Sequence, residues 1–462
     1  MLQILRREPG FYRRLWTLAL PIVLQNLITT SLGFADTFMV GLLGNAEMAA
    51  VTAANTPIFI IQLVIFGFQS GMTVLVSQYW GQHDTDNINR CMGVAIYAVT
   101  GFSTLVALVC GLFPAQVLRL ITPNQDLIDL GVSYIRIVGF SYIFNGISSI
   151  YAGVQRSTER PSFGMILFAI SMSVNTLLNF ILIFGHFGAP TMGVTGAAVA
   201  TLTSRIVEFL VALGFALRNK RLPLRLRCLL RPGKVILRSF IKYSTPVVCN
   251  EALWSTGTSM FTVIMGHMAN SQDMLAAHAL VGSIDKLSTV VCFGLAASTA
   301  VVVGKEIGQG ASRERVYSVS RTLLVVSVLV GCAVMTLLLL LLPSFFLPVL
   351  FPLFKLTAGA AAAAVCMTVV HAIFMPMRAF DVTNITGVLR AGGDVKISTV
   401  IDLVPLWMVA VPLTALSALV LDAPVWVVCI ALQGESLCKP LIGFLRFRSK
   451  KWINDVTQAT KQ

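Results

Sequence analysis

The sequence predicts an all-α polytopic membrane protein: twelve transmembrane helices in two pseudo-symmetric six-helix bundles. Three observations carry that prediction. First, the 462 residues are 56% hydrophobic and only 12% charged, with a mean hydropathy of +0.82. An average soluble protein has about 25% charged and about 45–50% apolar residues. Second, the apolar residues gather in runs long enough for a hydrocarbon core, which takes about 20 helical residues to cross. Third, the first half of the chain repeats weakly in the second.

Twelve such runs cover approximately 15–43, 50–80, 92–113, 130–155, 163–186, 193–217, 240–268, 276–304, 316–342, 357–388, 397–420 and 424–445. Polar breaks such as GQHDTDNINR (81–90) and GQGASRER (308–315) separate them. Charge orients the spans, because cytoplasmic loops are enriched in Lys and Arg. With the amino terminus in the cytoplasm, the opposite loops hold only Arg119 and Lys355. Arg136, Arg205, Lys286 and Arg378 fall inside spans, and the other Lys and Arg residues are assigned to the cytoplasmic face. Both termini are therefore expected in the cytoplasm, with the chain in the plasma (inner) membrane.

The net charge of +14 is explained by loops facing anionic lipid, and nucleic acid is not an expected partner. The densest basic stretch is RNKRLPLRLRCLLRPGKVILRSFIK, residues 218–242. Trp16, Trp80 and Trp452 lie near span ends, where indole rings anchor at the interface. The nine cysteines are scattered without C-x-x-C spacing, so neither a disulfide framework nor a zinc site is expected. A cleavable signal peptide is not expected either, since no small-residue cleavage site follows the first apolar run.

Four matches carry the repeat. WTLALPIVLQN (16–26) pairs with IKYSTPVVCNE (241–251), 225 residues on. Ala49-Ala50 pairs with Ala276-Ala277 and Gly81-Gln82 with Gly308-Gln309, both 227 on. GVQRSTE (153–159) pairs with GVLRAGG (387–393), 234 on. Six spans per half bring both halves in from the same side, so the repeat is parallel. The expected parts are an amino-terminal lobe (1–217), a basic cytoplasmic linker (218–238), a carboxy-terminal lobe (239–446) and a cytoplasmic tail (447–462). A substrate path is expected between the lobes.

Three carboxylates interrupt apolar runs: Asp36 in LITTSLGFADTFMVGLLG, Glu251 in STPVVCNEALWSTG and Asp381 after VVHAIFMPMRAF. An ionisable group at bilayer depth is costly and marks an ion or proton path. Asn175 and Asn179, four apart and so on one helix face, are the expected partners of Asp36. Hydrogen bonding between helices is their alternative role. Glu251 lies five residues past Pro246, which bends a helix. Asp285 is read as a cavity residue or half of a structural ion pair. His278 and His371 are read as hydrogen-bonded packing residues, with a proton relay as the alternative, and Asp402 and Glu435 as further candidates. Arg390, Asp394 and Lys396 are read as loop and gating contacts at a span end.

The chain resembles the multidrug and toxin extrusion (MATE) transporters over nearly its whole length. The features that carry the resemblance are Pro21, Gln25, Asp36 and VGLLG of the first span, VNTLLNFILIFG (174–185) and MGVTGAAVAT (192–201). To these add NEALWSTG in span seven and FDVTNITGVLRAGGD (380–394). The resemblance implies two six-helix lobes and a secondary antiporter that exports organic cations or other amphipathic drugs in exchange for Na+ or H+. It implies that Asp36, Asn175 and Asn179 couple ions in the first lobe, and Glu251 and Asp381 in the second. Asn179 stands where some relatives have an acid, which shifts weight to Glu251 and Asp381. That pair either binds one sodium ion through oxygen ligands or shares a proton, because two close carboxylates do not both ionise cheaply.

No phosphate-binding loop is expected, since Gly304-Lys305 is followed by Glu306. The protein is therefore not expected to be an enzyme or to carry a cofactor, the coupling ion aside. Its expected partners are a small-molecule substrate and the lipid bilayer, and it is expected to be a monomer. Two other readings compete. A flippase for lipid-linked precursors would need a cationic cradle for pyrophosphate. An ion channel would need a selectivity filter of repeated backbone motifs.

Overall fold

The computed structural model describes residues 7–458, the side chains of Phe34, Asn45 and Ile58 excepted. Residues 459–462 of the expected tail lie outside them. Every regular element among the described residues is helical. In the first half the long helices are α1 (Phe11–Gly41), α2 (Asn45–Gly81), α3 (Thr85–Leu112), α4 (Gln125–Ser157), α5 (Pro161–Phe184) and α6 (Gly193–Arg218). In the second half they are α7 (Lys234–Gly266) and α8 (Ser271–Gly308), then α9 (Arg313–Leu353), α10 (Ala358–Leu389), α11 (Val395–Val420) and α12 (Val425–Arg448).

Eleven of these twelve are long and apolar enough to cross a membrane. The exception is α7. Its 33 residues span about 50 Å at 1.5 Å per residue, ample for a hydrocarbon core of about 30 Å. What it lacks is apolarity, because Asn250, Glu251 and the Ser255–Ser259 stretch dilute its middle. The least apolar of the long helices carries one of the three acids.

Side chains end the loops sharply. Asp84 accepts from the amide of Asn87, Asn124 from those of Asp126 and Leu127, Ser312 from Arg315 and Thr357 from Ala360. Each satisfies a donor that the first helical turn leaves open, an interaction worth about 1 kcal/mol.

The described residues form two compact units, 20–248 with 457–458, and 7–19 with 249–456. Both boundaries fall inside helices, α1 at 19/20 and α7 at 248/249, and not in the basic 218–238 segment. Leu15 belongs to the core of the second unit with Leu295, Val303, Val316 and Leu323, and Phe11 and Tyr12 pack against it. Arg7 adds hydrogen bonds to Thr322 and Ser318, each 2.8 Å. In the first unit the start of α7 lies on α2. A Cβ at Gly67 would come 2.9 Å from Val248 Cα, and one at Gly71 would come 2.5 Å from Ser244 Cα.

Two of the three tryptophans read as interfacial anchors are packed instead. Trp452 is fully buried beneath the α10–α11 turn and donates to the carbonyl of Phe447 at 3.0 Å. Trp80, 7% exposed, donates to Glu159 at 3.2 Å beneath the guanidinium of Arg221. Their polar edges find protein partners, so neither ring needs the lipid interface.

Helix α10 departs from regular geometry twice. Pro376 cannot donate, which frees a carbonyl and bends the helix. Thr383–Leu389 then winds as a wide π-turn, and the Arg390 amide bonds to Ile385 five residues back. Gly331 of α9 lets the bend approach closely: a Cβ there would meet Pro376 Cα at 2.7 Å and Ala379 Cβ at 2.8 Å. Neither atom can swing aside. Gly331→Ala is therefore expected to cost about 1–3 kcal/mol through overpacking. Gly214→Ala, with open space at its Cβ, is expected to be neutral. Thermal unfolding in detergent compares them, and equal melting temperatures would refute the close packing of α9 on α10.

Candidate functional site

In the first unit, Ser171, Asn175 and Asn179 form a buried polar stripe on α5 at four-residue spacing. Asn179 Nδ2 donates to Asp36 Oδ1 of α1 at 2.6 Å and to Asn175 Oδ1 at 3.1 Å. Asn175 Nδ2 donates to Thr201 Oγ1 of α6 at 3.3 Å, and that hydroxyl donates to the Ala197 carbonyl. Each donor in this chain points towards an acceptor already held, and Asp36 is a terminal acceptor. Three of the predicted residues thus form one network.

Sequence reading missed Glu208. It is fully buried on α6 and accepts from Arg205 Nη1 at 2.6 Å and Asn145 Nδ2 at 3.3 Å. The signal was present, since Glu208 interrupts the apolar run IVEFLVALG three residues after Arg205. The criterion that singled out Asp36 applies to it equally.

In the second unit, Glu251 of α7 belongs to a larger cluster. Arg390 Nη1 donates to Glu251 Oε1 at 3.1 Å, and Arg390 Nη2 lies 3.7 Å from Asp402 Oδ2. Asp402 also accepts from Asn250 Nδ2 and from Lys439 Nζ, each at 2.8 Å. Lys439 Nζ stands 2.8 Å from Glu435 Oε2 as an ion pair. Two expectations are corrected here. Arg390, read as a loop and gating contact, is 2% exposed and bound to the acid. The wide turn before it continues the helix and changes the direction in which position 390 projects. Lys439, assigned to the cytoplasmic face, is 5% exposed inside α12. Three acids and two bases make this cluster net negative, so each buried cation has partners.

Asp381 differs from all of these. It is 5% exposed, and neither carboxylate oxygen has a hydrogen-bond partner among the described residues. Asn384, one turn on and fully buried, leaves both its oxygen and its nitrogen unpartnered, as Thr383 does its hydroxyl. Of the charges acting on Asp381, the strongest are those of Lys439, Glu435, Asp402 and Arg378. Glu251 and Asp381 are thus held differently, one by a guanidinium and the other by no side chain.

Asp285 of α8 sits in a third network. Arg378 Nη1 donates to Asp285 Oδ1 at 2.8 Å, and Nη2 to Oδ2 at 3.4 Å. His371 joins both residues, and Lys286 is exposed. Asp394, at the α10–α11 turn, pairs with Arg446 at 2.6 Å. Among the described residues no three His, Cys, Asp or Glu side chains gather as a metal-binding group.

Comparison with known proteins gives the same architecture. The MatE family profile matches twice, over residues 21–181 and 246–416. The two matches start 225 residues apart and end 235 apart, the slowly growing spacing of the internal repeat. A probable multidrug resistance protein NorM of Thermotoga maritima is 23% identical over 446 residues, covering 96% of this chain and 94% of that relative. The uncharacterized transporter YisQ of Bacillus subtilis is 24% identical over 449 residues, covering 95% and 94%. Among solved structures, an outward-facing multidrug resistance MATE family transporter of the MOP superfamily superposes with a TM-score of 0.85. The two chains share 18% identity over 100% of this chain and 98% of the other. A MOP superfamily transporter from Pyrococcus furiosus gives 0.82, at 18% identity over 100% and 99%. The twelve-helix, two-bundle fold and a family match across most of its length make this chain a member of the MatE family of membrane transporters.

Proposed function

We propose that the protein is a secondary antiporter. It exports organic cations or other amphipathic drugs in exchange for Na+ or H+ by alternating access, as a plasma-membrane monomer with both termini in the cytoplasm. The observation that carries this reading is Asp381. A carboxylate buried at bilayer depth without a partner is expensive, and such a group marks a place where a cation or proton comes and goes. Its free oxygens, with the amide oxygen of Asn384, are ligands of the type that alkali ions take. Glu251, held on one oxygen by Arg390, completes the coupling pair, and Asp36 with Asn175 and Asn179 supplies the other lobe. The relatives named above include a probable multidrug resistance protein of Thermotoga maritima, which supports drug export. Arg390 and Lys439 already face acids, so a cationic cradle for a lipid-linked pyrophosphate has no support. The carboxylates bind the drug cation on one side and release it as the coupling ion takes its place on the other.

The test is export of a fluorescent organic cation from vesicles under separately imposed sodium and proton gradients. Wild type is expected to respond to one gradient or the other. Asp36→Asn, Glu251→Gln and Asp381→Asn are each expected to weaken that response. Unchanged gradient-driven export in all three would sink the proposal.

A further inference from the structure

Helix α10 carries His371 and Arg378 seven residues apart, two turns along one face, with Pro376 between them. Arg378 Nη1 lies 2.8 Å from His371 Nδ1 and 2.8 Å from Asp285 Oδ1. A guanidinium only donates, so Nδ1 must accept and carries no proton. The hydrogen of a neutral ring is then on Nε2, which faces Asp285 Oδ1 at 3.2 Å and Ser288 Oγ at 3.3 Å. His371 is buried, whereas the side chains of Asp285 and Arg378 are 32% and 21% exposed. An ionised pair in an apolar span faces the bundle interior or a polar cavity. The histidine thus lies behind an ion pair whose side chains are partly exposed.

The surrounding helices supply few other charges. From α8 come Asp285, His278 and Cys292, and from α10 itself Arg378. Glu435 of α12 acts on this group through Arg378. On α9, the apolar Val334 and Met335 pack against Cys292, Met375 and Ala379 beside this group. With His371 neutral, Asp285 and Arg378 cancel.

We propose that His371 is a proton-carrying positioning residue of the antiport, separate from the carboxylates assigned to ion coupling. One proton from water adds to the Nδ1 lone pair, and the hydrogen bond from Arg378 to that atom breaks. The triad passes from net zero to net +1, and Arg378 must turn away from the ring. Both changes oppose an organic cation nearby. Protonation thus favours release of the exported cation, and binding of that cation favours loss of the proton, as reciprocal linkage requires. This inference rests on the antiporter reading, so the test separates the two.

The experiment uses the full-length protein and tetraphenylphosphonium as the probe cation. Binding to purified protein is measured between about pH 4 and about pH 8, together with protons released per cation bound. Wild type is expected to bind more tightly at the higher pH. His371→Asn can still accept from Arg378 but cannot take the proton. It is expected to flatten the pH dependence and to release about one proton fewer per cation at the acidic end. A His371→Asn profile that keeps the wild-type shape, merely scaled, overturns the inference. So does an unchanged proton count. Ser288→Ala, which removes one Nε2 partner and spares the ring, is expected to shift the midpoint of the wild-type profile. An unmoved midpoint counts against the inference even if His371→Asn does not fold. Gradient-driven export by wild type is measured in parallel. If it is absent while the pH-linked binding stands, the antiporter reading fails and the histidine assignment survives.

Discussion

Replacing Arg390 with leucine is expected to destabilise the protein by about 3–5 kcal/mol, the cost of breaking one side of a buried ion pair. Arg390 is 2% exposed and holds Glu251 at 3.1 Å, with Asp402 at 3.7 Å. Removing it leaves two acids with different fates. Asp402 keeps Lys439 and Asn250, each at 2.8 Å. Glu251 loses its guanidinium and has no comparable cation to replace it. The damage is thus expected to run through Glu251, and the double variant Arg390→Leu/Glu251→Leu should recover much of the loss. Swapping a whole buried pair for apolar side chains is often near neutral. Thermal unfolding of the two singles and the double in detergent gives the coupling directly. Strictly additive losses would mean that the ion pair carries no energy.

Asp381→Asn is expected to move stability and transport in opposite directions. The native carboxylate is 5% exposed, and neither oxygen has a hydrogen-bond partner among the described residues. An amide of the same shape removes the charge and retains the packing. Burying a neutral polar group costs less than burying a charged one, so the variant should gain about 1–3 kcal/mol and unfold at a higher temperature. Export should fall by at least about tenfold if the site exchanges cations, since sites that bind charge are commonly held at the expense of stability. A lower melting temperature, or full export, would contradict this reading. The Arg390 variant makes a useful contrast, because it is expected to lose both properties together.

Hydropathy recorded the twelve spans because crossing a membrane constrains every residue of a helix. Eleven of the twelve answer to that criterion in three dimensions, and α7, read as a span from its apolar run over 240–268, falls short of it because Asn250 and Glu251 dilute its middle. The acids were legible for a related reason: Asp36, Glu251 and Asp381 stand out against apolar flanks. Asn175 and Asn179 were legible as a pair because four residues make one helical turn. Their bond to Asp36 follows from that stripe facing α1.

What escaped is equally specific. Arg390 sits near a loop in sequence, and only the wide turn over Thr383–Leu389 directs it to Glu251. Charge counting by loop assigned Lys439 to the cytoplasmic side, whereas two acids hold it inside α12. Glu208 needed no three-dimensional information, only the same test applied to α6. The unit boundaries inside α1 and α7 were out of reach for any local criterion, because hydropathy says where a helix crosses and nothing about its neighbours.

That division of α1 has a consequence for the order of assembly during synthesis. Leu15 packs with Leu295, Val303, Val316 and Leu323, which leave the ribosome nearly 300 residues after it. At elongation rates of about 5–20 residues per second, this first segment waits about 15–60 seconds for its neighbours. Until then its core-facing side chains rest against lipid or the translocation machinery. The turns over residues 11–19 should therefore acquire protection from proteolysis only when that core forms, long after they are made.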